Sequence, residues 1–344
     1  METQSKFSRL ETLKASKPSR MAGATELVVK ENLPGGEAYP IVFKPGVRDV
    51  DIFSWLQNNR PEVQKHLRQS GAVLFRGFGI NTVDLFERFL KSLSNEILEY
   101  KHRSSPRHEI QNHIYTSTDH PADQFINMHN EHSYSHEWPL KIIFCCITPS
   151  ETGGETPIAD SRLVLSRLRE ETRDKFIRKG IRYVRNMGTG LGMDWKKVFQ
   201  TDDKTVVEEY CRKYSVDFFW GDDERLRLEF VRPAIRTHPL FGEESWFNHA
   251  FFFNILSLEQ SLREDLLTNG SPEILPFLTY YGDGSEIEPS VIEEIRSVYE
   301  NTMVSYQWMK GDVLVLDNMY MAHGRMPFEG ERKILVGMLE PYGI

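Results

Sequence analysis

The chain has 344 residues, 40% of them hydrophobic and 12% aromatic, enough apolar material for a sizeable core. Its formal net charge of −8 excludes a general basic surface for nucleic acid, and its three cysteines, Cys145, Cys146 and Cys211, exclude a disulfide framework and a cysteine-based metal pattern. No apolar run approaches the ~20 residues that span a bilayer, and residues 1–24 lack the apolar centre of a secretory signal.

Those first 24 residues read as a flexible tail, and 25–344 as a single domain. The tail carries Lys6, Arg9, Lys14, Lys17 and Arg20 against Glu2 and Glu11. A cytoplasmic location is expected, with an organellar transit peptide as the minor alternative. Short strands are expected at Thr25 to Lys30 and Tyr39 to Phe43. A helix broken by Pro61 follows from Asp51 to Gln69, then a compact strand from Gly71 to Gly77, then a helix that Thr82 caps.

From Asn112 onward short strands dominate, at Ile114 to Thr118, Phe125 to His129, Lys141 to Thr148 and Thr156 to Ala159. Gly, Pro and Ser clusters punctuate them, the pattern of an antiparallel jelly roll rather than of alternating β-α units. Cys145 and Cys146 face opposite ways in one apolar strand. Asp160 caps a helix through Leu168, and a charged helical stretch runs to Lys179.

Residues 188–239 mix helices around Trp195 and Val207 with the strand-like Leu228 to Val231, and read as an insertion over the mouth of the barrel. Trp246 to Phe253 is an aromatic stretch that suits either a core strand or the active-site face. A charged stretch from Leu256 to Pro289 leads to a helix at Val291 to Glu300, and strands at Met303 to Trp308, Gly311 to Leu316 and Ile334 to Leu339 close the barrel. The fold class expected is mainly β with flanking helices, a double-stranded β-helix (cupin-like jelly roll) with a helical insertion.

Two residues in Phe125 to Tyr134 carry the chemistry. His129 and Glu131 stand two apart in what reads as an extended segment, so both side chains point to one face and suit neighbouring positions on a metal ion. His323, after the apolar run Asp312 to Leu316, supplies a third ligand. Two histidines and one carboxylate make the triad of non-haem iron(II) oxygenases, which leaves open positions on the metal. The His-x-acid spacing alone proves little. With 11 His and 50 acidic residues among 344, chance supplies roughly 1.6 such matches, and the chain has one.

The surrounding residues are more specific. Pro121-Ala-Asp, Met128 to Ser135, Trp138-Pro139 and Gly153-Gly-Glu-Thr-Pro-Ile-Ala-Asp-Ser-Arg162 resemble the TauD/TfdA family of 2-oxoglutarate-dependent dioxygenases, in its clavaminate synthase-like and syringomycin-hydroxylase-like branch. Asp317-Asn318, His323-Gly-Arg325, Pro327-Phe328, Gly330 and Arg332 to Val336 extend the likeness, which runs from about Val73 to Met338.

The resemblance implies iron(II) on His129, Glu131 and His323, with 2-oxoglutarate as cosubstrate and O2 as oxidant. It implies that Arg332 and Thr156 hold the far carboxylate of 2-oxoglutarate, with Lys333 in place of Arg332 if the register slips by one residue. Arginine suits that role through its bidentate fork, because a buried unpaired carboxylate is costly. Arg325 shares a face with His323 and has no assigned role. His132, His136 and His249 get no metal role, since their spacing gives no tetrahedral zinc pattern.

The reaction implied is hydroxylation of an unactivated C–H of a small polar metabolite such as an amino acid, free or carrier-bound, with release of succinate and CO2. Desaturation or cyclisation needs only a different fate for the substrate radical. Relatives that oxidise sulfonates carry a second Arg four residues past the one for 2-oxoglutarate; here those positions are Val336 and Gly337, so a sulfonate substrate bound in that way is not expected. Glu131 argues against halogenation, which needs a small residue there. Two alternatives stay open: a non-catalytic metal- or ligand-binding module on the same fold, and a zinc hydrolase.

Overall fold

The apolar run Val313–Asp317 and the long strands Glu137–Thr148 and Lys333–Gly343 alternate side chains across a sheet, and the two faces they create organise the molecule. The computed structural model describes residues 26–33, 36–98, 109–111, 113–116, 120–221, 223–269 and 274–343. The expected tail over 1–24 and the end of the strand expected at Ile114 to Thr118 lie outside them.

These strands form an eight-stranded sheet in the order Val28–Glu31, Ile41–Pro45, Ala72–Phe75, Val313–Asp317, Glu137–Thr148, Lys333–Gly343, Ile114–Thr116 and Glu109–Gln111. Ile41–Pro45 and Ala72–Phe75 pair in parallel, across the helix Ile52–Ser70 that joins them; the other pairings in this sheet are antiparallel. Val313, Val315, Ile143 and Cys145 face the helices Ile52–Ser70 and Val83–Leu93, while Leu314, Leu316, Phe144 and Cys146 face inward. The two cysteines do point opposite ways, and both are buried thiols.

Local signals set the helix ends. Asp51 accepts from the backbone N–H groups of Phe53 and Ser54, and Thr82 from that of Leu85. The first helix kinks at Asn59 (φ −124°, ψ 20°), two residues before Pro61, which has no N–H to give and crowds the preceding turn.

Opposite the inner face lies a smaller sheet, with Met321–Arg325 between Ile126–His129 and Ile158–Asp160. Ile158 and Met321 pack into the same core as Leu314 and Leu316, so the two sheets close as a jelly roll. A third sheet of four strands runs Asp217–Trp220, Leu226–Arg232, Ile181–Met187 and Phe277–Tyr281. The helices Trp195–Phe199 and Lys204–Lys213 pack on it, so residues 188–239 share their sheet with strands on either side of them in the chain.

Three expectations need correction. Met303 to Trp308 is not a strand; Val304 makes a lone bridge to Ile158, and Trp308 turns its indole N–H to Thr156. Of the two readings of Trp246 to Phe253, the single core strand does not hold, because the strand Glu244–Trp246 ends and the chain turns at Ala250. The stretch Leu256 to Pro289 holds the helix Gln260–Asn269 and the strand Phe277–Tyr281, which its charge content conceals. Among the described residues, no helix is long and apolar enough to cross a membrane.

His136 ties the segment around Lys204–Lys213 to the jelly roll, stacking on Tyr214 at 3.4 Å between ring centroids, with its Nδ1 accepting from the Tyr210 hydroxyl at 3.0 Å. Burial, and secondarily the charges of Arg232 and Lys213, bring its imidazole down to about 4. The unfolded chain takes this proton near 6.5, so the stability it contributes is full above that pH and is lost as pH falls toward 4. Urea unfolding of His136→Phe should show a stability deficit at pH 7.5 that shrinks at pH 5. An equal deficit at both would contradict the assignment.

Candidate metal centre

His323 and His129 are directly opposed in the antiparallel pairing of Met321–Arg325 with Ile126–His129. That register brings their rings to 4.5 Å between centroids. His323 therefore sits in the middle of a strand of the small sheet rather than at the end of the apolar strand Val313–Asp317. A turn lies between: Asp317 Oδ1 accepts from the backbone N–H groups of Met319 and Tyr320, both at 3.1 Å. The other oxygen of Asp317 accepts from His238 Nε2 at 3.1 Å, with the Leu240 N–H on His238 Nδ1 fixing that tautomer.

Glu131 arrives by a different route from the one expected. The strand stops at His129 and Glu131 begins a turn, so the shared strand face does not explain the convergence. The turn is anchored by the side chain of Asn318, whose Oδ1 accepts from Glu131 N at 2.8 Å while its Nδ2 donates to the carbonyls of Glu131 and Pro139, each at 2.9 Å. Asn130 donates in turn to the Asn318 carbonyl at 2.8 Å and to Ser161 at 3.0 Å.

As a result, one donor atom from each of His129, Glu131 and His323 lies within 4.8 Å of the others, and Glu131 Oε2 is 4.0 Å from His323 Nε2. His129 Nδ1 is 2.9 Å from the Asn127 carbonyl; donating there fixes the tautomer and leaves Nε2 as a lone-pair donor. A buried imidazole (His323), a half-buried one (His129) and a buried carboxylate in one cluster are the donor set that suits a divalent iron ion, and among the described residues no other such cluster is found. His132, His136 and His249 are outside it, although His132 Nε2 lies 3.6 Å from Glu131 Oε1.

The triad opens on a cavity of about 1150 Å³ that Thr156, Arg325 and Arg332 also line. The Gly153-Gly154 pair has left-handed backbone (φ +64° and +72°), and a Cβ on Gly153 would run into the Pro327 carbonyl. This lets Arg332 Nε donate to the Gly154 carbonyl at 2.8 Å, with Nη2 3.5 Å from Thr156 Oγ1. Burial, reinforced by the charge of Arg325, brings Arg332 down to about 10, still fully charged at neutral pH. Lys333 is exposed and does not line the cavity. Arg325 donates to the carbonyls of His120, Gln124 and Pro121, so it holds that loop against the site.

His249 and Phe252, from the stretch read as either a core strand or the active-site face, line the cavity, whereas the Asn318 clamp and the cavity-lining Arg185 had no sequence signal. His249 accepts at Nδ1 from the Ser133 hydroxyl (2.6 Å), and burial holds it well below the ordinary histidine range, so it is neutral.

The family "Taurine catabolism dioxygenase TauD, TfdA family" matches residues 37–339. The dapdiamide synthesis protein DdaC of Enterobacter agglomerans is 40% identical over 279 residues, 81% of this chain and 85% of that protein. A clavaminate synthase-like protein of Arabidopsis thaliana is 28% identical, covering 87% of this chain and 93% of its own. Among solved structures, PvcB, "an Fe, alpha-ketoglutarate dependent oxygenase from an isonitrile synthetic pathway", shares the fold with a TM-score of 0.54 at 13% identity, over 91% of this chain and 92% of that one. The chain belongs to the TauD/TfdA family. It is an iron(II)- and 2-oxoglutarate-dependent dioxygenase on a jelly-roll core.

Replacing Asn318 with Ala removes three buried hydrogen bonds around Glu131. The expected outcome is ~1–3 kcal/mol lower stability by thermal denaturation and roughly 10- to 100-fold weaker iron(II) binding by anaerobic titration. Unchanged metal affinity would remove Asn318 from its positioning role.

Proposed function

We propose that His129, Glu131 and His323 hold the iron(II), and that Arg332 with Thr156 holds the far carboxylate of 2-oxoglutarate. The reaction is hydroxylation of an unactivated C–H bond in a small polar metabolite, free or carrier-bound, with release of succinate and CO2. The observation that carries this reading is that the three candidate metal-ligating side chains, the half-buried Arg332 and the buried Thr156 line one cavity. Iron(II) and 2-oxoglutarate supply the oxidising chemistry when bound, and the protein positions the groups around them.

Each side chain has a definable task. The Asn127 carbonyl keeps the proton on His129 Nδ1, and Asn318 orients the peptide that carries the carboxylate. Arg332 offers a desolvated, fixed cation to which a carboxylate binds more strongly than it would in water, and the Thr156 hydroxyl stands beside it. Val336 and Gly337, where sulfonate-oxidising relatives have a second Arg, are packed within the sheet, Val336 in the inner core and Gly337 against Leu90. That packing supports a substrate other than a sulfonate held in that way. The names of DdaC and PvcB, one from dapdiamide synthesis and one from an isonitrile pathway, support a small-molecule substrate here. Residues 188–239 are read as the insertion that selects it, since Gly192 and Met193 line the cavity.

Two variants test the cosubstrate assignment. With oxygen and iron(II), Arg332→Ala should raise the KM for 2-oxoglutarate at least tenfold in succinate release, the loss of about one charge-assisted hydrogen bond. Lys333→Ala should stay within about twofold. Wild-type behaviour in Arg332→Ala would overturn the assignment, and turnover of an ester or amide with zinc under anaerobic conditions would favour hydrolysis.

A further inference from the structure

The turn that carries Glu131 and the stretch Trp246 to Phe253 meet in one hydrogen bond, between the Ser133 hydroxyl and His249 Nδ1 at 2.6 Å. Ser133 is fully buried, and its hydroxyl has no other hydrogen-bond partner among the described residues. Were Nδ1 to donate, the hydroxyl hydrogen would be buried without an acceptor, which is costly. The hydroxyl therefore donates to Nδ1, and the ring hydrogen of His249 sits on Nε2. Nε2 has no hydrogen-bond partner among the described residues and is not sealed in the core, so it opens on the cavity that His249 and the candidate triad both line.

Both partners are held firmly. The Ser133 N–H donates to the Asn130 carbonyl at 3.2 Å, within the turn that Asn318 anchors. The His249 N–H donates to the Tyr183 hydroxyl at 3.0 Å, and the His249 carbonyl accepts from the Phe253 N–H at 3.1 Å. Asn248 beside it donates to the Ala234 carbonyl (2.8 Å) and accepts from the Ala250 N–H (2.9 Å). A ring mounted in this way points its Nε2–H in one direction. Its centroid lies 5.5 Å from that of His129, and the rings of Phe253, Tyr134 and Phe252 surround it at 4.6, 5.0 and 5.3 Å. A fixed hydrogen-bond donor thus stands among aromatic rings, next to a candidate metal ligand.

Building on the oxygenase reading above, we propose that His249 is a substrate-binding residue whose Nε2–H donates to an uncharged carbonyl oxygen of the substrate. A single hydrogen bond among aromatic rings satisfies a carbonyl oxygen, whereas it does not offset the desolvation of a carboxylate. The planar carbonyl group then lies against Phe252 and Phe253, and its neighbouring carbon is the one brought to the metal. The substrate class is a compound with an amide, ester, thioester or ketone carbonyl close to the carbon that is oxidised. A site built around such a donor also rejects analogues that lack the acceptor, because they leave the donor unpaired.

The test is calorimetric titration of the anaerobic iron(II)/2-oxoglutarate complex with cyclohexanone and with methylenecyclohexane, in which a CH2 group replaces the carbonyl oxygen. Wild type should bind the ketone about fivefold or more tightly than the alkene. That ratio should fall by about the same factor in H249F and in H249L, and H249Q, whose side-chain amide also donates, should recover part of it. Equal binding of the two probes by wild type, binding of neither, or an unchanged ratio in a folded H249F or H249L overturns the proposal. The infrared carbonyl stretch of cyclohexanone bound to wild type should fall below its value in a hydrocarbon solvent, and an unshifted stretch overturns the proposal whether or not the variants fold. Cyclohexanecarboxylate forms a second arm, because Arg185, Arg263 and the other cavity arginines compete for an anion. If the acid binds more tightly than the ketone and loses that advantage in H249F, the group at His249 is a carboxylate and the neutral assignment falls. The visible absorption of the iron(II)/2-oxoglutarate chelate separates the two levels. Its presence in wild type without a ketone preference leaves the oxygenase reading standing and removes His249 from substrate binding, and its absence in wild type would locate the failure in that reading.

Discussion

The side-chain amide of Asn318 is the constraint on which the centre depends. His129 and His323 are brought face to face by strand pairing, which backbone hydrogen bonds enforce without help from side chains. The carboxylate has no such support, because Glu131 lies past the end of its strand. One amide that accepts from its N–H and donates to its carbonyl fixes the peptide on both sides, and a buried amide satisfied in this way has no alternative partner to move to. Asn318 itself hangs from the apolar strand Val313–Asp317, whose five residues are all buried between two layers. The rigidity of the main sheet is thus passed to the one residue of the candidate triad that lacks a strand.

The same logic governs the wall of the cavity that carries Thr156 and Arg332. The Gly153-to-Pro157 segment is laced to Gly324 through Phe328 by backbone bonds, Gly154 N to the Pro327 carbonyl and Gly324 N to the Pro157 carbonyl among them. The left-handed glycines allow that close approach, which leaves the Gly154 carbonyl and Thr156 hydroxyl facing Arg332. The Arg332 guanidinium in this half-buried wall donates to a carbonyl and stands beside a hydroxyl, and burial lowers its pKa.

Much of this was legible in the sequence, for reasons that can be located. The caps at Thr82 and Asp160 act over two or three residues, so composition reveals them, and the opposite facing of Cys145 and Cys146 follows from strand alternation alone. The three candidate ligands stand out by residue type and spacing and do come together, yet the shared strand face expected of His129 and Glu131 does not hold, since the turn that joins them is set by a residue 187 positions away. No local signal marks such a partner. The same is true of Met303 to Trp308, which has an apolar strand's composition, although only Val304 finds a strand to bridge. Phe277–Tyr281 was hidden in a charged stretch because its neighbours Ile181–Met187 and Leu226–Arg232 are far off in sequence.

The central claim is that His129, Glu131 and His323 bind iron(II) in a form that accepts 2-oxoglutarate as a chelate. Anaerobic titration of the iron(II) protein with 2-oxoglutarate tests it directly through the weak visible metal-to-ligand charge-transfer band of that chelate. The account predicts a saturable band in wild type that is lost in His129→Ala while the far-ultraviolet circular dichroism is unchanged. A folded wild-type protein that takes up iron(II) and forms no band, or a band that survives intact in His129→Ala, would contradict it.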